Sequence, residues 1–570
     1  MARWHPFRPD RWPLPALLLL ALIVLGAGLG LRQPMPPDEP RFALMAQGMV
    51  DTGDWLLPRR GDELYSHKPP LFMWLQAAAL RLTGHLPTAF LLPSLLAALL
   101  TLALVFDLAR RLWGRRAAGW ALLALLVTLQ FGLQARRGQI DAVLVAMTTA
   151  SLYGLLRHHL LGGRPAWALL GWSMAGLGTI TKGVGFLPLL ALPLLALSRR
   201  TGARHLADPR LQPGWRRVRL GPMAFLVATA VWLGPMLLAV LAGDDPQGRT
   251  YVHDLLFRQT ATRYLDPWHH HQPPWYFLGT VLTLWLPTAL LLPALLPAWW
   301  RRIRRGDARV QVLVGWTLLV LIFFSASPGK REVYILPALP AFCLALAPLL
   351  PGLLRRSRVQ LAALGYVALV GLAAAVLAAA ASWPDSGAVA RALADRGLDR
   401  PPPLALAGLA ALAGAALLIA LTAKRRGAGL AVLALTCVLW LVHGLAFMPA
   451  LDDASSGRAL MRSVAQRIGP SASLALLDWP EQLLLQADRP VRTFGFERPV
   501  RAQWPDALAW LAADPERNWL LVNQRSLADC PALAGRIEAG TSNRRRFVLV
   551  RHHALLAGCI ADRPPGQRDD

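Results

Sequence analysis

A chain of 570 residues that is 55% hydrophobic and only 16% charged carries more apolar side chain than soluble domains have interior to hide it. Its formal net charge of +27 is not a nucleic-acid footprint, because the arginines fall in short clusters between apolar runs and not along one face. Four cysteines, Cys343, Cys437, Cys530 and Cys559, are too few and too scattered for a disulfide scaffold or a CxxC metal site.

Taken in chain order, apolar runs near the length a bilayer demands lie at 12–31, 88–109, 117–135, 139–157, 165–181, 184–198, 221–243, 274–299, 309–327, 331–353, 359–383, 401–423 and 429–449. They predict a polytopic α-helical membrane protein with about thirteen spans. The first run has a basic flank but is long and followed by further spans, so it reads as an uncleaved anchor. LFMWLQAAALRL (71–82) is too short to cross and reads as an interfacial helix. With the N-terminus inside, the clusters RRLWGRR (110–116), RHHLLGGR (157–164), Arg199 to Arg219, RRIRRGDAR (301–309), RRSR (355–358) and KRR (424–426) all fall on one side. Counting 71–82 as a span would flip every later loop and place RRLWGRR outside. The loops 32–87, 136–139, 181–184, 244–273, 328–331 and 384–400 then face outward.

Residues 1–451 are thus expected to form the membrane domain, with 32–87 as its first outer loop, and 452–570 an outside C-terminal domain. Strand-like runs SLALLDW (473–479), WLLVNQ (519–524) and RRFVLVRHH (545–553), with helical stretches between, predict an α/β or α+β fold for that domain. Cys530 and Cys559 lie outside the spans, and an oxidising compartment would favour a bridge between them over two unpaired thiols.

The chemistry-bearing residues crowd the outer loops. Asp38 and Glu39 open a helical pattern after Pro36 and Pro37, with Arg41 a turn along and Phe42, Met45, Ala46 and Met49 at helical spacing. Asp141 opens the fourth span, Lys182 lies in TKG, and Lys330 and Tyr334 in GKREVY. Each alone has a plainer reading: a carboxylate as a helix-start partner, a basic residue as a snorkelling anchor, Tyr334 as an interfacial ring. Lysine usage argues for more. Of 60 basic residues only Lys68, Lys182, Lys330 and Lys424 are lysines, and the first three sit at outer boundaries. An ammonium and a guanidinium are not interchangeable at a specific site, so three such lysines suggest a phosphate-binding cluster.

The loop PPDEPRFALMAQGMVDTGDWLLPRRGDELYSHKPPLFMWL resembles the first outer loop of the C-type glycosyltransferases, nearest the bacterial aminoarabinose transferases of lipid A, which are related to the protein O-mannosyltransferases. The features that match are the acidic pair Asp38–Glu39, Arg41, the Gly53–Asp54–Trp55 step and the stretch from Tyr65 to Pro70, followed by TKG (181–183), RYLDPWHHHQPPWYF and GKREVYILPALP (329–340). The resemblance implies an inner-membrane enzyme that moves a sugar from a polyprenyl-phosphate donor to lipid A, a glycan or a protein on the periplasmic face, with membrane lipids but no nucleic acid as partners. On it, Asp38 leads the catalysis with Glu39 and Asp141 in support. Arg41, Lys68, Lys182 and Lys330 grip the donor phosphate, and Tyr65 and Tyr334 shape the pocket. The residue before the Lys-Pro-Pro lysine is commonly Glu in that branch and is His67 here. His67 with His270 or His271 would be able to hold Zn²⁺, or the site has been lost. Two other readings stay open: a protein O-glycosyltransferase of the same superfamily, and a polytopic lipid or sugar transporter without chemistry.

Overall fold

The structure, a computed structural model, describes residues 12–206, 215–243, 246–255, 271–383, 387–527 and 535–554. Every one of the thirteen apolar runs is helical. Eight helices among the described residues are long and apolar enough to cross a bilayer, and up to ten if each of two bent pairs is one span. Three runs form shorter helices, Leu14–Gly26, Pro165–Thr179 and Glu332–Leu346, so length and composition alone do not make thirteen crossings.

The bent pairs show how a membrane helix breaks without leaving polar backbone in lipid. Arg115–Val127 and Leu129–Ala135 meet at 72°, and Tyr276–Leu284 and Thr288–Arg304 at 102°. Pro287, which lacks an N–H, sits at the second break. The two breaks lie against each other: the Leu129 N–H donates to the Leu286 carbonyl, and the hydroxyls of Thr128 and Thr288 are 3.0 Å apart. The first break thus finds a backbone acceptor at the second, and the threonine hydroxyls also bond the Ala124 and Trp285 carbonyls of their own segments.

Polar contacts sort into two ends. At one, Asp107 binds Arg110, Arg111 and Tyr153, Arg309 donates to the Leu112 carbonyl, and Arg204 pairs backbone with Asp307. These residues come from the loops expected inside or, as Asp107 and Tyr153 do, from the span ends beside them. At the other end meet 32–41, 136–141, 182, 272 and 327–334. The arginine clusters and the acid-bearing loops are therefore separated by the full length of the spans.

At that second end the first outer loop is built by short-range rules. Helix Glu39–Thr52 buries Phe42, Met45, Ala46 and Met49 as one stripe, Phe42 edge-on to Phe72 at 5.4 Å. It stops at Gly53, whose φ of 76° suits a residue without Cβ and whose N–H donates to the Met49 carbonyl. Asp54 then accepts from the Leu56 and Leu57 N–H groups, so the GDW step is a helix stop followed by a side-chain turn. A hairpin of β1 (Arg59–Arg60) and β2 (Glu63–Leu64) leads to helix Leu71–Thr83, thirteen residues long and short of a span.

The C-terminal region holds a five-stranded sheet of β3 (Ser473–Leu477), β4 (Val491–Thr493), β5 (Asn518–Asn523), β6 (Ile537–Ser542) and β7 (Arg545–Val550), in the order β4-β3-β5-β7-β6. β3 runs parallel to β4 and β5, and β7 antiparallel to β5 and β6. Alternate residues of β3, β5 and β7 feed two cores. Ala475, Leu477, Leu520 and Val548 pack with Trp504 and Leu511, while Leu474, Leu476, Leu521 and Phe547 pack with Leu460 and Val464. The sequence reading finds β3, β5 and β7 and misses β4 and β6, which are too short or too polar to stand out. Cys530 and Cys559 lie outside the described residues, as does His270.

Candidate active site

Asp38 stands at the mouth of helix Glu39–Thr52 with its side chain 14% exposed. Its Oδ2 accepts from Arg331 Nη2 at 2.9 Å and from Gln139 Nε2 at 3.0 Å, while Arg41 Nη1 lies 3.5 Å from Oδ1. Burial pushes this carboxyl up, but Arg331, Arg41 and Lys182 together outweigh it and hold it below the usual carboxylate range. Close by, Lys182 Nζ pairs with Asp141 at 2.7 Å and lies 4.9 Å from the Tyr334 ring centre. Asp141 sits in the first turn of helix Ile140–His159, where the helix dipole also favours its charge. Four separate segments thus deliver Asp38 and Arg41, Asp141, Lys182, and Tyr334 to one place.

Other expected site residues are engaged differently. Glu39 is 5% exposed and saturated: Arg32 grips it at 2.5 and 2.8 Å, and the Met35 and Gly138 N–H groups donate at 2.9 and 3.0 Å. That leaves little of its carboxylate for a reacting atom and ties it into the loop. Lys330 is 3% exposed and donates to the carbonyls of Gln272 (2.9 Å) and Ser327 (2.5 Å). A buried ammonium must find such acceptors, and Lys330 pins two loops where a phosphate grip was expected. Tyr65 is buried beneath Arg60, 5.4 Å from its guanidinium carbon. Lys68 is half-buried on the turn before helix Leu71–Thr83, whose first N–H donates to Ile180, just ahead of the Lys182 turn.

The expected metal ligands do not converge. His67 Nε2 lies 3.3 Å from Glu497, and His271 is exposed and bridges backbone to Gly329. Among the described residues no group of three or more His, Cys, Asp or Glu side chains is placed to hold a metal. Among the described residues, His67 and His271 thus do not form the zinc site that the resemblance suggested, and His270 lies outside them.

Three functional contacts escape the sequence reading. Arg331, next to the lysine singled out there, is the residue that turns to Asp38. Gln139 bridges Asp38 to Gln134, and Glu481 from the C-terminal region binds Arg41 Nε at 2.7 Å. Glu481 is also 3.8 Å from Arg60, which stacks on Phe496 and pairs with Glu497 at 2.9 Å. The His67 hydrogen bond, with Arg60, holds the Glu497 carboxyl down at about 2. No local signal marks any of these, since each partner lies about a hundred residues or more away, Gln134 excepted. Glu481→Gln should weaken the Arg41 anchor, because hydrogen bonds to charged groups are worth about 1.5–3 kcal/mol. We expect kcat to fall about tenfold, read by single-turnover transfer. An unchanged rate would make the C-terminal contact passive.

The fold and site together define a multi-pass membrane protein with a charged centre at one end of its helix bundle. The sequence comparisons narrow this. Residues 67–214 match the family model for dolichyl-phosphate-mannose-protein mannosyltransferase. The chain is 32% identical over 349 residues to an undecaprenyl phosphate-alpha-4-amino-4-deoxy-L-arabinose arabinosyl transferase of Pectobacterium carotovorum, covering 59% of this chain and 58% of that one. A Pseudomonas aeruginosa enzyme of the same name is 33% identical over 314 residues, 53% of each chain. The matched region thus spans a little over half the length of these relatives. The crystal structure of ArnT from Cupriavidus metallidurans bound to undecaprenyl phosphate superposes with a TM-score of 0.73 at 22% identity, covering 96% of this chain and 99% of the other. The chain is related in sequence to the aminoarabinose transferases and shares their fold, as its first outer loop led one to expect.

Proposed function

We propose that this protein transfers a sugar from a polyprenyl-phosphate donor to an envelope acceptor, a lipid A-like phosphate or a similar group, at the periplasmic face of the bacterial inner membrane. The observation that carries this is the Asp38 centre: a carboxylate held by Arg331, Arg41 and Gln139 beside the Asp141–Lys182 pair, at the span ends. The names of the sequence relatives supply the substrate class. In the reaction the bond between the anomeric carbon and the phosphate oxygen breaks, the acceptor oxygen takes the carbon, and polyprenyl phosphate leaves. Negative charge grows on the departing phosphate, and Lys182, Arg331, Arg41 and Lys68 are the cations proposed to meet it. Fixed cations help most where charge is greatest, which is the transition state.

Asp38 takes the acceptor's proton if that acceptor is a hydroxyl, and orients the cations if it is an anionic phosphate. The low carboxyl pKa favours the second role, since a weakly basic group gains little from a hydroxyl proton. Residues 1–451 are proposed to bind the donor and carry the chemistry, with 452–570 closing over the first loop through Glu481 and Glu497. The protein O-mannosyltransferase reading keeps one specific support, the family model over 67–214. Transport has less, because the charged groups gather at the bundle ends and not at its middle.

The test offers the purified protein a radiolabelled polyprenyl-phosphate sugar with lipid A or an envelope protein as acceptor. Mass spectrometry of lipid A and envelope glycoproteins from deletion and wild-type cells runs in parallel. Label in lipid A, with a matching mass loss in the deletion, supports the proposal. Label in protein alone selects the mannosyltransferase-like reading, and no turnover with any donor overturns enzymatic transfer.

A further inference from the structure

A second lipid-facing feature lies at the opposite end of the bundle from the Asp38 centre. An open apolar slot lies between helices Arg115–Val127, Ser357–Ala381 and Ala428–Val442, with Trp120, Leu354, Val359 and Gly429 in its walls. It runs from the ends of these helices up to Val127 and Pro287, where the two bent pairs break. From Trp120 to Val127 the helical rise is about 10 Å, enough for a substantial length of acyl chain.

The mouth of the slot is basic. Leu354 precedes the RRSR turn (355–358), Val359 follows it, and Gly429 lies three residues beyond KRR (424–426). The arginines of the first turn and all three cations of the second are exposed, and no ion pair is formed by any of them among the described residues. The sequence explains why: there is no Asp or Glu at all in 341–384 or in 401–451. Six cations at the foot of an apolar slot, with no carboxylate to answer them, lack an anion that has a hydrocarbon tail.

We propose that this slot and its two basic turns form a binding site for an anionic phospholipid of the adjoining leaflet. The phosphate sits between the RRSR and KRR turns, and one acyl chain lies along the slot. The donor's phosphate is not the occupant. Helix Ile140–His159 runs from the Asp141–Lys182 pair at one end to His159 and Arg199 at the other, and its 20 residues span about 30 Å. A phosphate at the basic turns is that far from Asp38. Bound there, the lipid would tie Ser357–Ala381 and Ala428–Val442 to the broken helix whose second limb leads toward Gln139.

Native mass spectrometry of the full-length protein in mild detergent tests this, with phosphatidylglycerol, cardiolipin and phosphatidylcholine of matched chains offered in turn. Phosphatidylglycerol or cardiolipin should be retained at least about tenfold more than phosphatidylcholine, since each basic residue near a phosphate adds appreciably to binding. R355Q/R356Q/R358Q and K424Q/R425Q/R426Q should each lose that preference. Ala363→Phe, which fills the slot wall, should lower retention of the two-chain lipid but not of a short-chain phosphatidylglycerol. Because charge variants can disturb insertion, the wild-type competition stands as an independent arm. Equal retention of phosphatidylcholine and phosphatidylglycerol by the wild type overturns the site, as does full phosphatidylglycerol retention after both turns are neutralised. Displacement of bound phosphatidylglycerol by polyprenyl phosphate would also overturn it, by assigning the slot to the donor.

Discussion

Asp38→Asn is expected to lower transfer at least about a hundredfold while expression and folding stay near wild type, because misplacing the groups that orient a reacting centre can cost about 10²-fold. The side chain is not part of a core; its work is to hold Arg331, Gln139 and Arg41. Asparagine keeps the size and one acceptor but turns a donor toward groups that already donate. It also leaves Arg331, Arg41 and Lys182 facing one carboxylate fewer, so the donor phosphate should bind as well as before or better. The loss therefore belongs in kcat, with KM level or lower. The wild-type carboxyl is held below the usual carboxylate range, so it stays ionised throughout pH 5–8. A group depressed in this way loses its ion pairs only as pH falls through its lowered value, so no acid limb from Asp38 should appear above about pH 4. More than about a tenth of activity remaining in Asp38→Asn would remove it from the chemistry.

What was legible in the sequence divides by distance along the chain. Runs of about twenty apolar residues declare helices because lipid leaves the backbone no other solution, and all thirteen are helical. The stripe Phe42, Met45, Ala46, Met49 and the stop at Gly53 are equally local, and so are β3, β5 and β7, whose unbroken apolar runs mark strands buried on both faces. Ion-pair partners are another matter. Lysine scarcity singled out Lys182 and Lys330 alike, and the structure turns Lys182 to Asp141 but Lys330 to the carbonyls of Gln272 and Ser327. One residue of backbone turns Arg331 to Asp38 and Lys330 into its own loop. Nor does any pattern in 32–87 announce that Arg41 finds Glu481 some 440 residues away. Composition told which charges were unusual; only the packed spans told which way they face.

Glu39 offers the sharpest contrast with Asp38, and breaking its clamp should cost stability where Asp38→Asn costs rate. Arg32 and Glu39 are 4% and 5% exposed, joined by two hydrogen bonds, and Arg32 also donates to the Arg136 carbonyl. Arg136 in turn donates to the carbonyls of Val24, Leu25 and Ala27 at the end of the first helix. It thereby supplies partners that a helix end otherwise lacks. One carboxylate thus ties the first helix, the first outer loop and the 136–139 turn. Arg32→Met would strand Glu39 as a buried charge with only two backbone donors, and removing one partner of a buried pair typically costs about 3–5 kcal/mol. Glu39→Gln would likewise strand Arg32 and bring an amide hydrogen against it. Each single variant should therefore show a melting temperature lower by several degrees in detergent and a reduced yield. The surviving folded enzyme should turn over within about tenfold of wild type. The double variant Arg32→Met/Glu39→Gln should recover part of the loss, because neither half is then left as an unpaired charge. Glu39→Gln that melts like wild type yet loses more than a hundredfold in kcat would place Glu39 in the chemistry and undo its assignment as a clamp.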